Sequence, residues 1–152
     1  MHRPEVGQVG GLEAIAFGVL VLVLGVLIVS NAWGVIDART AASEAAREAA
    51  RTYATAPART DAEADDLAQQ AAVATLHELG WHGQGITVRR VEGTFVRCAL
   101  VTYEVDIPVP VFRLPWVQSS VSAFRASASD SERVDPYRSG VPATGAADCG
   151  AP

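Results

Sequence analysis

Between Glu13 and Asp37 the chain carries 23 consecutive residues without a charged side chain, and residues 14–29 are almost wholly aliphatic. A helix rises 1.5 Å per residue, so about 20 residues cross a hydrocarbon core of ~30 Å. A core helix of a water-soluble protein keeps a polar face, and this run has none. Trp33 follows it where an interfacial aromatic anchor would sit. Residues 14–36 are therefore expected to span a membrane behind a leader or tail of residues 1–13. The competing reading is a secretory signal peptide, because Ser30-Asn31-Ala32 sets small residues where a signal peptidase reads. Against it, the run exceeds the ~7–15 residues of a signal core, and Arg3 in the leading tail is offset by Glu5 and Glu13.

Beyond the span about 115 residues remain, enough for one small domain. All 12 basic residues are Arg, none stands in a run longer than two, and the net charge is -5. That balance excludes a nucleic-acid surface. The cysteines are Cys98 and Cys149 only, an even pair on the same side of the span. A disulfide between them is expected if that side is oxidising; a buried thiol at Cys98 and an idle one at Cys149 is the alternative. Positive charges near the span fall on both sides, with Arg3 before it and Arg39, Arg47 and Arg51 after it. Charge alone does not orient the chain.

The helix is expected to run past the membrane, since residues 37–53 lack Gly and Pro and are dominated by Ala. Ala41, Ala42, Ala45, Ala46, Ala49 and Ala50 form a stripe of small side chains. It suits close packing against either a neighbouring subunit or the chain's own sheet. A second helix opens at Thr60, where Thr60-Asp61-Ala62-Glu63 fits a capping box. Leu67, Ala68, Ala71, Ala72, Leu76 and Leu79 give it one apolar face, and Gly80 stands where a left-handed cap is expected. The period then changes to two. Residues 86–92 read as a strand, Glu92-Gly93-Thr94 as a turn, and Ala99, Val101, Tyr103, Val105 and Ile107 as the apolar face of a second strand ended by Pro108. A proline-rich loop over 108–116 and a third strand over 117–129 follow. The expected fold is α+β: an extended N-terminal helix, a second helix and a small antiparallel sheet of about three strands, with the domain over 37–132 and a flexible tail over 133–152.

Catalytic and metal-binding patterns are missing. His77 and His82 lie five apart across Gly80, whereas two zinc ligands on one helix face lie four apart with a glutamate between. There is no phosphate loop and no nucleophile elbow. Asp65 and Asp66 read as solubilising charge. No cofactor and no small-molecule substrate are expected. Glu13, at the mouth of the apolar helix, is either a boundary charge in the headgroup region or an acid that pairs with a neighbouring subunit.

Residues 7–17, with Glu13 running directly into the aliphatic helix, resemble the N-terminus of TadE-like minor pilins of the tight-adherence (Flp-type) pilus system. The resemblance continues through Ala45-Ala46-Arg47-Glu48-Ala49-Ala50-Arg51 and returns at residues 101–110 and 121–128, so it covers most of the chain. It implies a pilin-like, non-catalytic component of a pilus or of its assembly machine. The N-terminus would be cytoplasmic and the domain extracytoplasmic. Its membrane helix would pack with other pilins or pilus assembly proteins, Glu13 would act in assembly, and Ala42, Ala45, Ala46, Ala49 and Ala50 would form the packing face. In the family's pattern four residues separate the Gly at which the leader is cut from the Glu; here the place of that Gly is held by Gln8. A membrane-tethered binding module, reading ligands through Val109, Val111, Phe112, Leu114 and Trp116, is the alternative from a different class.

Overall fold

The computed structural model describes residues 10–110, 122–142 and 149. Helix α1 (Gly10–Thr55) is unbroken for 46 residues, about 69 Å at 1.5 Å per residue. A five-residue connection, residues 56–60 with Pro57 and the capping Thr60, separates it from α2 (Asp61–Glu78). Three strands follow, β1 (Thr87–Glu92), β2 (Leu100–Pro110) and β3 (Ser122–Arg133), in an antiparallel sheet of order β1-β2-β3. Both helices contact the sheet, and α1 packs along α2, β2 and β3. The arrangement is pilin-like: one long helix whose first half is bare and whose second half is the spine of an α+β domain.

The core is built on small side chains. On α1, Ala38, Ala42, Ala46, Ala50 and Ala54 form one ridge at four-residue spacing, and Ala41, Ala45, Ala49 and Tyr53 form a second beside it; all are buried. Ala64, Ala68, Ala72 and Leu76 are the matching ridge on α2. Residues four apart lie on one helix face, and alanines in those rows let helix axes approach at the short end of the usual 8–10 Å. From the sheet, Val101, Tyr103, Val105, Ile107 and Val109 of β2 point inward, with Ala126 of β3. Ala71 is only half-buried and Leu79 is 49% exposed, so the apolar face of α2 is narrower than expected and is shifted onto Ala64.

The capping signals act as read, with one difference. Thr60 Oγ1 accepts from the Glu63 amide at 3.2 Å, but the Glu63 carboxylate reaches back to the amide of Arg59, one residue before the cap, at 2.9 Å. Gly80 adopts φ +81°. The Gly80 amide donates to His77 O at 3.0 Å and that of Trp81 to Leu76 O at 2.8 Å, a Schellman closure.

Two strand boundaries are corrected. β2 does not stop at Pro108: it pairs with β3 through Pro108↔Arg125, Val109↔Phe124 and Pro110↔Ser122. β1 ends its pairing at Thr87↔Asp106, so both prolines fall where one side of β2 is an open edge, the setting in which a sheet tolerates a missing N–H. β3 runs to Arg133 instead of ending at Ser129, and the part of it expected over 117–121 lies outside the described residues. The tail is corrected too. Val134 and Val141 are buried, Arg97 N donates to Pro142 O at 3.1 Å, Cys98 N donates to Val134 O at 3.0 Å, and Val134 N donates to Ala99 O at 3.0 Å. Residues 134–142 therefore belong to the domain.

Candidate functional site

Exposure divides α1 sharply. From Glu13 to Asp37 almost every side chain is open, including Phe17 at 68% and Ile28 at 69%, whereas every residue of the two alanine ridges is at 3% or less. The bare stretch reaches a mean hydropathy of 2.6 over its best 18-residue window. It is long and apolar enough to cross a membrane, and it is the one such helix among the described residues.

Glu13 lies in the first turn of α1 and is exposed. An acidic side chain in the first turn stabilises a helix start by itself. The domain begins at Ala38, 25 residues or about 38 Å further along the helix. Ala42, Ala45, Ala46, Ala49 and Ala50 are fully buried. Of the two partners their stripe allowed, the chain's own second helix and sheet occupy it, and no neighbour can reach those residues without opening the domain. Cys98 and Cys149 form a disulfide across 51 positions of sequence with Cα atoms 5.1 Å apart. Cys98 takes φ +67°, the sole positive φ outside glycine among the described residues. The proposed binding loop contributes Val109, which is buried; Val111, Phe112, Leu114 and Trp116 lie outside the described residues.

The strongest polar constellation was not evident from the sequence. Arg90 on β1 forks onto Asp61 at the start of α2, Nη1 to Oδ1 at 2.6 Å and Nη2 to Oδ2 at 2.7 Å. Asp61 also accepts from the Tyr53 hydroxyl at 2.5 Å and from the Phe95 amide at 2.9 Å. Arg90 also donates to the Tyr53 oxygen, and its Nε lies 3.7 Å from Asp65, which accepts from the Tyr103 hydroxyl. The guanidinium sits over the Tyr53 ring at 5.0 Å, and Phe95 meets that ring edge-on at 5.4 Å. Asp65 is thus a structural acceptor and not idle surface charge; Asp66 is exposed, as expected.

Titration follows from these contacts. The hydrogen bonds from Arg90 hold the Asp61 carboxyl well below the usual carboxylate range, against the opposing effect of burial, and Tyr53 and the Phe95 amide add to them. Burial, then donation to a carboxylate, pushes both the Tyr53 and Tyr103 phenols up. The group ties the end of α1, the start of α2 and two strands together with every charge answered. It holds Arg90 and Asp61 as an ion pair and leaves no unpaired acid, base or nucleophile aimed at a cleft. A signal was present: alternation from Val88 sets Arg90 on the inner face of β1, and a charge there demands a partner.

The histidines expected to be surface groups flank the end of α2, with rings 4.8 Å apart and tilted by 52°. Comparison with known proteins finds no family model that matches the chain, and no similar curated protein or solved structure.

Proposed function

We propose that this chain is a structural, non-catalytic subunit of a cell-surface pilus or of the machine that assembles it, in the manner of a TadE-like minor pilin or pseudopilin. The observation that carries the reading is the single helix Gly10–Thr55, bare and apolar through its first half and embedded in a small α+β domain through its second. Such a helix bundles with like helices in a membrane while the domain meets partners outside it. The disulfide supports an extracytoplasmic domain, since such bonds persist in oxidising compartments, and hence a cytoplasmic N-terminus. Glu13 is the residue assigned to assembly, where its carboxylate answers a positive group on the adjacent subunit.

Deleting the gene and scoring surface pili tests the reading, with complementation by the native chain and by Glu13→Gln. Loss of pili restored by the native chain and not by Glu13→Gln is the expected result. Normal piliation of the deletion strain overturns it. That result would favour a membrane-tethered binding module, to which one observation already points: the alanine stripe, a natural contact for a second subunit, is used up inside the chain. Intact-mass measurement of the membrane-extracted protein determines whether a leader is removed.

A further inference from the structure

Four residues break the exposure of the bare half of α1: Leu27, Asn31, Gly34 and Val35 are half-shielded while their neighbours are open. They recur at steps of four, three and one, which is a single stripe of the helix. Val35 packs against the domain core, and Leu27, Asn31 and Gly34, with Ser30 and Asp37, face the base of the domain across a cavity of about 340 Å³, whose far wall is Leu79, Gly80, Trp81 and Val109. The position of this cavity along the helix is informative. A span that begins after Glu13 and rises 1.5 Å per residue through ~30 Å of hydrocarbon ends near Trp33. Leu27 lies six residues before Trp33, about 9 Å deeper. The domain therefore meets α1 at and below the level at which the helix would leave the bilayer.

We infer that the base of the domain is a lipid-contacting surface, seated in the headgroup layer, with acyl chain of the surrounding bilayer filling the cavity between α1 and Trp81. The inference rests on the proposed membrane span and adds to it the domain's depth and its lipid contact. The lining is mixed, as in the layer where headgroup meets hydrocarbon: Leu27, Leu79, Trp81 and Val109 are apolar, Ser30 and Asn31 are polar, and Asp37, at the upper end, is the one charge on the wall. Asn31 turns its amide back onto Leu27 O at 2.7 Å, the local bond by which a polar side chain satisfies itself on a lipid-facing helix. The rim carries large apolar groups that water does not favour: Leu79 is 49% and Phe124 51% exposed, and Phe124 pairs with Val109 across the sheet. Exposed Arg125 beside it is placed to meet phosphate.

The test uses the full-length, disulfide-bonded chain in phosphatidylcholine vesicles, with Trp33→Phe and Trp116→Phe leaving Trp81 as the sole tryptophan. Lipids brominated near the headgroup end of the acyl chain should quench Trp81 emission at least about twofold more than lipids brominated near its terminal methyl, as for an interfacial ring. Acrylamide in the water should quench it little. Trp81 that is quenched by acrylamide and indifferent to both brominated lipids overturns the inference. A second variant, Trp81→Phe with Leu24→Trp, reports the span alone. Quenching there by deeply brominated lipid with none at Trp81 sinks the seated base and leaves the span standing; no quenching at either position sinks both. Gly34→Leu fills the cavity, and a Cβ at Gly34 meets nothing within 4 Å, so the fold tolerates it. It should cut the Trp81 quenching by about half, because the added side chain displaces lipid. Unchanged quenching would overturn the lipid-filled cavity.

Discussion

The two halves of α1 present apolar side chains of opposite size, and only the domain half, with Arg39, Glu44, Arg47, Glu48 and Arg51, also has a charged face. The half that stands bare carries Phe, Leu, Ile and Val, while the half buried in the domain carries Ala at nearly every inward position. In water the order would be reversed, with the bulkiest groups inside. The inversion has a physical cause. A bilayer, the setting proposed for the bare half, accepts any aliphatic surface, whereas a helix wedged between a second helix and a sheet has room for a methyl group and little more. The domain half must therefore gain its stability from close packing, from one covalent closure and from a polar knot, and the bare half from its solvent. Changes in one half should leave the other's behaviour intact.

The largest test of that separation is the disulfide. Its closed loop of 51 positions stabilises the domain by about 4 kcal/mol in the chain-entropy model. Replacing Cys98 and Cys149 together by Ser should lower the unfolding free energy of the detergent-solubilised protein, read from urea titration, by about that amount. Retention in carbonate-washed membranes should stay as in the native chain. A loss of retention would mean that the two halves are energetically coupled.

Next in size is a swap of the rule itself. Ala46→Leu adds three carbons at a position of zero exposure on the α1 ridge and should cost about 3 kcal/mol through overpacking. Leu22→Ala, at a side chain 66% exposed, should leave the domain's unfolding midpoint unchanged within error while reducing membrane retention. Equal effects of the two substitutions on domain unfolding would break the comparison.

Much of this architecture is legible because it depends on period. The alanine ridges and the inward series Val101, Tyr103, Val105 and Ile107 have a repeat that one element imposes on itself, and the charge-free run, the Thr60 cap and the Gly80 closure are signals confined to one short segment. What periodicity could not supply is the partner of each face. The alanine stripe reads the same whether a second subunit or α2 covers it, and the knot joins Tyr53, Asp61, Arg90 and Tyr103 from four elements. Prolines at 108 and 110 read as a stop because the neighbouring strand's end, which makes them tolerable, is set by pairing with a distant segment. The burial of Val134 and Val141 was hidden in the same way, in a stretch whose composition is that of a loop.

Gly93 sharpens the comparison at one backbone position. It takes φ +91°, and a Cβ there would lie 2.4 Å from Leu100 O and 2.7 Å from Val101 Cα. Both are main-chain atoms of β2 and cannot rotate away. Gly93→Ala should destabilise the domain by about 2 kcal/mol, again without altering membrane retention. Gly18 and Gly25, on the bare half, have nothing within 4 Å of a Cβ, and alanine at either should be neutral for the domain. A neutral Gly93→Ala would mean that the β1–β2 connection departs from the conformation described.

The smallest effect carries the clearest sign. Asp61 is held below the ordinary carboxylate range by Arg90, so the folded state binds its proton less readily than the unfolded state. The resulting stability is complete above the unfolded value of about 3.9 and is lost progressively as pH falls below it. The Asp61 side chain is 46% exposed, so solvent screening reduces the effect, and Asp61→Asn should cost about 1 kcal/mol at pH 7. It should cost less at pH 3, where the native carboxyl begins to lose its advantage. Unfolding curves at the two pH values, in the same detergent, measure the difference. A cost that is equal at both would assign Asp61 a purely steric role. A cost that grows on acidification would place the proton on the folded state and reverse the reading of the knot as an ion pair. Membrane retention should be indifferent to the substitution at either pH, since the knot lies at the end of the domain remote from the bare helix.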